Sequence, residues 1–536
     1  MELKPNEQGD KNLWRVTRSI KRPSARFPPL KDNSGGWVKT NKEKVDLFAE
    51  HFEHQFTPFP NNSPSIDDDI PFFQYEGRIS HFKLDELKEE IKHLNIKKAP
   101  GEDKVTGKLI KALPSNAIHL LLFIYNAILR LGHFPSIWKL SRIIVIPKPG
   151  KPEEEITSYR PISLISIFSK TFERLFKKKL IPFVKLPHHQ FGFRSGHGSV
   201  EQCHRFVHHI QTALQEKKFC CGAFLDIQQA FDRVWHEGLI IKLKGSVPMP
   251  LFLVLKSYIT DRKFKVAYGG EESDWKPIKA GVPQGSVLGP LLYTIYTSDM
   301  DVDEASLLGT FADDTGFLCT DKELDVARMK LLECLRQYEE WASKWRLKIS
   351  APKSKIITFT LRRESPQTPM FINNEQIPEV ASVKYLGLTI DKKLNFREHI
   401  EKKIKHVNIT ISKMDWLVGR KSKLSIENKL IIYKTIILPL LGYCCVIWGA
   451  ASNTNIKKVQ TVQNKFLRKA INAPWYVSNA TNHKDLNIIY INEYINNFVN
   501  RYKNRLSNHE NLLISEMNQT TIPRRLSRRV LLDPLE

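Results

Sequence analysis

The chain lacks the features that would take it out of the cell interior or into a membrane. Its most apolar stretch, "IILPLLGYCCVIWGAA" at 436–451, is interrupted by Pro439 and falls short of the roughly 18 apolar residues that a membrane span requires. The N-terminus, "MELKPNEQGDKNLWRVTRSIKRP", has no apolar core of the kind a secretory signal needs, so export is not indicated. The seven cysteines (Cys203, Cys220, Cys221, Cys319, Cys334, Cys444 and Cys445) include no CxxC pair and no His at zinc-knuckle spacing. They read as reduced core thiols of an intracellular protein. No internal repeat is present. Acidic residues are the last shortage: 57 Asp and Glu face 82 Lys and Arg, a net charge of +25. Such an excess calls for a polyanionic partner, with nucleic acid first. An anionic membrane is disfavoured, because Lys and Arg recur along the whole chain instead of gathering on one amphipathic helix.

With 536 residues and 41% hydrophobic content the chain is long enough for several cored domains. Proline and glycine between 23 and 36 and the acidic "NNSPSIDDDIP" mark an N-terminal extension and linker over 1–75. "KLDELKEEIKHL" places Leu84, Leu87, Ile91 and Leu94 at helical spacing, and "KKAPGEDKVTG" then breaks the helix. "RIIVIPK" predicts a strand that pairs with "SYRPISLIS" as a basic hairpin, and "CCGAFLDI" predicts a buried strand ending near Asp226. "QQAFDRVW" is expected to continue as a helix with Ala230, Phe231, Val234 and Trp235 on one face. After Asp391 the texture turns helical and basic, with Ile400, Ile404, Val407, Ile411 and Met414 recurring three and four apart. Arg524, Arg525, Arg528 and Arg529 mark a basic C-terminal tail.

"TFADDTGF" sets Asp313 beside Asp314 in an apolar run. A carboxylate without a partner in a strand is costly to desolvate, so the pair marks a solvated turn, a paired site or a metal site. Turn preference alone favours the solvated hairpin. The ordered set shifts the balance: Asp226, then "GVPQGSVLGP", then the double Asp, each at an element boundary. In-line phosphoryl transfer by two Mg²⁺ ions about 3.5–4 Å apart needs carboxylates from different segments. Asp226 and Asp313, brought together in one sheet, would supply them. Successive strand residues face opposite ways, which gives Asp313 the direct role and Asp314 a supporting one unless the two occupy a hairpin turn.

"AFLDIQQAFDRVW", "AGVPQGSVLGPLLY", "TFADDTGF" and "VKYLGLTIDKKLNFREHI" resemble the successive palm motifs of reverse transcriptases from non-LTR retrotransposons of the LINE-type, jockey-like kind. "KKAPGEDKV", "YRPISLISIFSKTFERL" and "QFGFRSGHGS" extend the likeness over about residues 95–473. The resemblance implies an α/β (α+β) right-hand polymerase fold. Fingers and palm, with an antiparallel palm sheet, would span 76–390 (core about 128–390), a mostly helical thumb 391–473 and a basic tail 474–536.

It further implies that Asp226, Asp313 and Asp314 are catalytic and hold two Mg²⁺ ions, with Mn²⁺ a substitute. Phe231 falls at the position of a steric gate against a ribose 2′-OH; a core Phe on an amphipathic helix would look the same. Gln284 falls where the family lines the incoming nucleotide and template, with Gly281 and Gly285 allowing close backbone approach. Lys148 and Arg160 fall where triphosphate oxygens are bound, Arg being suited by its fork of donors; Lys151 competes with Lys148 for that role, and either could be a solvated charge. Lys353 falls where a lysine protonates the pyrophosphate leaving group. Gln190, Phe191 and Arg194 resemble a template-contacting segment, or equally a turn with Phe packing, and Tyr385, Leu386 and Gly387 match the primer-grip turn. Ser350, where relatives commonly have Asn, and "GHGS" depart from the family pattern.

The expected partners are an RNA template, a DNA primer and dNTPs, with no membrane and with an endonuclease supplied elsewhere, since fewer than about a hundred residues precede the likeness. Neither an RNase H domain nor a zinc knuckle is expected after the thumb, and a nuclear setting follows from the family alone. The alternatives are a truncated, catalytically silent nucleic-acid-binding relic of such an element, or another right-hand polymerase such as a group II intron maturase or a telomerase-like enzyme.

Overall fold

A computed structural model of the chain describes residues 27–535 apart from 33–34, 61–70, 301–305, 363–367, 519–524 and 527–528. The acidic linker stretch, Arg524 and Arg528 therefore lie largely or wholly outside the described residues. In chain order the elements that position the site begin with α1 (Asn41–Gln55), β1 (Leu140–Pro147), β2 (Tyr159–Leu164), α2 (Ser199–Gln215), β3 (Phe219–Leu225) and β4 (Arg262–Tyr268). They continue with α3 (Gly289–Tyr296), β5 (Ser306–Phe311), β6 (Asp314–Asp321), α4 (Leu324–Lys344), β7 (Lys355–Phe359), β8 (Ser382–Tyr385) and β9 (Leu388–Asp391). Helices α5 (Arg397–Lys413), α6 (Asn453–Ala470) and α7 (Ile491–Ser507) follow.

The central sheet is antiparallel throughout, in the order β7-β3-β6-β5, with Ala223 opposite both Phe317 and Ile356. Every residue of β3 is buried. Its alternation divides the two cores: Cys221, Ala223 and Leu225 join Leu331, Leu335 and Tyr338 of α4, whereas Cys220 and Phe224 join Phe206, Val207 and Ile210 of α2. Gly309 and Gly316 make room for α2, since a Cβ on either would lie 2.3 Å and 2.7 Å from the Phe206 ring. The second sheet pairs β1 with β2 as the expected basic hairpin, Ile146 opposite Arg160, and β1 runs parallel to β4.

Four regions differ from the sequence reading. Part of the supposed N-terminal extension is integral: Val45, Phe48 and Phe52 of α1 pack on Ile143, Val145, Tyr159 and Phe264 of the hairpin sheet. "QQAFDRVW" forms turns instead of a helix. Gln229 has φ +50°, and the segment spends its carbonyls on the glycine-rich loop, Val282 N–H donating to Phe231 and Gly281 N–H to Val234, both at 2.8 Å. Asp313 and Asp314 lie at a hairpin tip, not along one strand. The stretch after 474, read as a tail, folds: Ile491, Ile495, Val499, Tyr502 and Leu506 of α7 are buried in the core shared with α2 and the preceding helices. Polar ties reinforce that packing. Tyr502 Oη meets His204 at 3.1 Å, Arg505 pairs with Glu201, and Gln215 Oε1 accepts from the Arg525 and Leu526 N–H groups.

All seven cysteines are buried and unpaired by disulfides. No described helix is long and apolar enough to cross a membrane.

If the C-terminal segment belongs to this core, Leu506→Ala should destabilise the unit that contains α2 by about 2–5 kcal/mol, the usual cost of such a cavity. Urea unfolding of the purified chain checks this; an unchanged transition would make the segment an appendage.

Candidate active site

The Asp313–Asp314 hairpin is tight: Phe311 pairs with Asp314 across a two-residue turn. Ala312 takes φ +59°, a conformation that the first position of such a turn normally reserves for Gly. The strain is held from outside. Gln190 is buried, and its Oε1 accepts from the Ala312 N–H at 3.1 Å and the Gly192 N–H at 2.7 Å. Phe191 N–H donates to Thr310 O at 2.9 Å and Thr310 N–H to His189 O at 3.1 Å, so the segment pairs along the free edge of β5. A Cβ on Gly192 would sit 2.2 Å from the Ala312 nitrogen, which explains the glycine.

This corrects the template-contacting expectation for Gln190 and Phe191: both side chains are buried, and they brace the hairpin. Phe193, 55% exposed, and the half-buried Arg194 remain on the accessible side of that segment.

Asp226 follows β3 directly and is cupped by the 350–354 turn: its N–H donates to Ser354 Oγ at 3.2 Å, and its carbonyl accepts from Ser350 N–H at 2.8 Å. The Ser350 departure thus leaves the backbone support of Asp226 in place. The Asp226 carboxylate meets Lys353 Nζ at 3.1 Å. Burial first, then the charge of Asp226, holds the Asp313 carboxyl above the ordinary range, while Arg160 and Lys353 oppose the shift. Burial of the carboxyl among its neighbours, then the charges of Asp313 and Asp226, push Asp314 up to about 6, although the residue reaches the solvent edge.

Among the described residues no three His, Cys, Asp or Glu side chains are gathered closely enough to hold a metal ion. The donor chemistry still suits a hard divalent cation: carboxylates come from two segments, and the charge of Asp226 raises the proton affinity of Asp313 and Asp314, which a bound cation would relieve.

Facing them, Phe231 stacks on Tyr293 with centroids 4.5 Å apart and receives the edge of Phe193 at 5.8 Å. Gln284 Nε2 donates to Asp232 Oδ1 at 2.8 Å, and Gln55 Nε2 from α1 donates to the other oxygen at 2.6 Å. Asp232 is buried, and burial pushes its carboxyl up to about 6 despite both amides. Gly285, at φ +117°, lets the loop close on β2: the Gln284 carbonyl accepts from Ser163 N–H at 2.8 Å, and a Cβ on Gly285 would meet Ser163 O at 2.7 Å. Lys148 donates to Thr157 O at 2.6 Å; burial, then Lys353 and Arg160, lower its pKa. Arg160 is exposed. Tyr385 is buried, and Leu386 and Gly387 form a two-residue turn, both at positive φ, whose Leu386 carbonyl accepts from the Tyr443 hydroxyl.

Sequence reasoning missed Asp232, Gln55 and Tyr293. Asp232 directly follows Phe231 and is hidden by the helical spacing of "QQAFDRVW"; no local signal links Gln55 to it across 177 residues.

Residues 146–390 match the family model described as reverse transcriptase (RNA-dependent DNA polymerase). The chain is 41% identical to the probable RNA-directed DNA polymerase from transposon X-element of Drosophila melanogaster, over 97% of this chain and 58% of that protein. It is 39% identical to the probable RNA-directed DNA polymerase from transposon BS, and 38% identical to that from mobile element jockey, both of Drosophila melanogaster. These alignments cover 97% and 96% of this chain and 59% of each relative. The chain thus spans less than two thirds of the length of these relatives. Among solved structures, an apo telomerase from Candida tropicalis truncated from its C-terminal domain aligns with a TM-score of 0.34 at 15% identity, over 48% of this chain and 54% of that one.

A carboxyl raised from about 3.8 to about 6 destabilises the fold above pH 6, where it must stay charged, and costs nothing below pH 4, where folded and unfolded states are both protonated. Asp314→Asn should therefore raise the thermal unfolding midpoint at pH 8 and leave it unchanged near pH 4. Equal midpoints at pH 8 would contradict the cost of holding Asp314 charged in the folded state.

Proposed function

Residues 146–390 are a reverse transcriptase domain related to the RNA-directed DNA polymerases of jockey-type non-LTR retrotransposons, and from that premise we propose that the chain copies an RNA template into DNA from a primer and dNTPs. The observation that carries the reading is the convergence of Asp226, Asp313 and Asp314 with Lys353 and Arg160, a set of carboxylates and cations suited to divalent metal and phosphate together.

Divalent cations are the group this family generally uses. We assign two Mg²⁺ ions to Asp226 and Asp313, with Asp314 in support; bound there, they would stabilise the attacking and leaving oxygens of an in-line displacement. The chain's own residues do the rest. Arg160 and Lys148 receive the triphosphate, Arg160 with a fork of donors and Lys148 with a charge whose pKa is lowered first by burial and then by Lys353 and Arg160. Phe231, backed by Tyr293, presents a fixed ring edge beneath the sugar and excludes a 2′-OH. Gln284 lies along the base pair, its amide orientation set by Asp232. Lys353, held at Asp226, is placed to protonate the departing pyrophosphate. Phe193 and Arg194 face the template, and the Leu386–Gly387 turn positions the primer end. A nuclear setting, and a target nick made by an endonuclease, follow from the resemblance.

Primer extension on an RNA template with dNTPs and Mg²⁺ tests the reading. The parent should extend. Asp313→Asn should lower the rate by at least about a hundredfold, the scale of losing one fixed electrostatic group, while template–primer binding persists. Tight binding by both chains with extension by neither would favour the silent relic.

A second test isolates Asp232. Asp232→Asn turns one amide donor against another, which should raise the dNTP KM about tenfold, within the range for an unsatisfied buried group, with little change in kcat. Adding Gln55→Glu places a carboxylate where the amide introduced at position 232 can donate to it, while Gln284 donates to the side-chain oxygen kept at 232; this second change should restore KM. A double variant no better than the single would show that Asp232 does not orient Gln284.

A further inference from the structure

Helices α5 and α6 enclose a groove of about 940 Å³ lined by Lys405, Asn408, Lys413, Lys458, Thr461 and Lys465. Its one acidic residue, Glu401, is already paired with Arg397 at 2.9 Å and Lys458 at 3.1 Å. Lys405, Lys413 and Lys465 have no carboxylate partner among the described residues. The groove adjoins the cleft beside the Leu386–Gly387 turn at Lys413, which lines both; the rest of the cleft is lined by Lys402, Lys403 and His406 of α5 and by Tyr443 beyond it, whereas Lys405 and Lys465 line the groove alone.

Exposed aromatic side chains follow both helices of the groove in the chain. Lys469 pairs with Asp415, tying the end of α6 to the residue that precedes Trp416, which is 50% exposed. Just beyond α6, Trp475 and Tyr476 are 88% and 72% exposed. Their loop is built. Arg468 donates to Pro474 O at 3.0 Å, to Asn479 Oδ1 at 3.0 Å and to Val477 O, and Ala473 N–H donates to Arg468 O at 3.0 Å. The loop is fixed on both sides of the two rings, which meet each other edge to face, centroids 6.0 Å apart, and stay largely uncovered; each ring would bury roughly 150–250 Å² on a partner.

We propose that this groove and the aromatic residues that follow its two helices form a binding site for single-stranded nucleic acid, with phosphates along Lys405, Lys413 and Lys465 and bases stacked on Trp475, Tyr476 and Trp416. Cations without carboxylate partners on α5 and α6, with exposed rings just beyond each helix, match an unpaired strand, whose backbone is anionic and whose bases are free to stack. A duplex offers the charge but keeps its bases stacked on one another, and a protein partner would need an acidic ridge beside an apolar knob. The site is independent of the polymerase reading, so binding and extension can succeed or fail separately.

The test measures anisotropy of a labelled single-stranded RNA of about 20 nucleotides, longer than the typical site of one single-strand-binding module, on the full chain, with saturating unlabelled blunt-ended template–primer duplex occupying the palm. Trp475→Ala/Tyr476→Ala should weaken binding at least about tenfold, given the usual worth of a stacked base, while the unfolding midpoint and duplex affinity match the parent. Lys405→Ala/Lys465→Ala should flatten the slope of log K against log salt by about 1.4, two contacts at the single-strand value of roughly 0.7 each. Unchanged RNA affinity in the aromatic variant overturns the proposal, as does a parent that binds no single strand under these conditions. If the aromatic variant instead loses self-association while RNA affinity holds, a second copy of the chain covers the rings and the proposal is likewise overturned.

Discussion

Repulsion among carboxylates is the constraint around which this molecule is arranged. Asp226 directly follows one strand of the central sheet, and Asp313 and Asp314 sit at the turn of the neighbouring hairpin, close enough that the charge of Asp226 raises the proton affinity of both. Left to itself a two-residue tip would splay, the more so because Ala312 is at φ +59°. Gln190 and Gly192 prevent this from outside the sheet. Their loop is in turn held by the end of the chain, where Asn511 Nδ2 donates to His188 O at 3.0 Å and His509 Nε2 meets Gly196 O at 3.1 Å. The far C-terminal segment thus supports the hairpin through two intermediaries. Its fold and the geometry of the site are one problem.

The same device recurs at the second strained turn. Leu386 and Gly387 both occupy positive φ, and the Tyr443 hydroxyl, itself within 3.0 Å of Ser199 Oγ, fixes the Leu386 carbonyl. In each case a non-glycine residue is kept in a left-handed conformation by a polar group from another element. The backbone there has one available shape before any substrate arrives, and preorganisation of that kind is what positioning requires.

How far the sequence discloses this depends on whether the cause is local. The β1–β2 hairpin, the all-buried β3, the amphipathic α5 and the boundary positions of Asp226 and Asp313 are legible, because period-two and helical spacing are properties of a few neighbouring residues. "QQAFDRVW" misleads for the converse reason: its apolar spacing is helical, but its carbonyls are taken by the 281–282 backbone, a partner no window of eight residues contains. Gln190 stands out in the sequence, but for the wrong task. A Gln beside Phe and Gly suggests an exposed recognition segment, and only the register of the segment against β5 shows that its amide faces inward. The tail is misleading because its arginines outweigh, in composition, the buried 491, 495, 499, 502, 506 series that docks it.

Asp232 shows what such long-range placement does for chemistry. A buried carboxylate tied to one amide would leave an oxygen free to rotate toward any donor. Tied to two, it has both oxygens engaged, which holds its plane and fixes Gln284 with its own oxygen directed away. The second amide comes from α1, in the stretch that composition assigns to an extension. Because α1 also packs its Val45, Phe48 and Phe52 under the hairpin of Arg160, one helix sets both the cationic hairpin and the loop opposite it. Displacing that helix would move the Arg160 hairpin and the Gln284 loop together. The separation between them is therefore a property of a segment outside the motifs that name the fold.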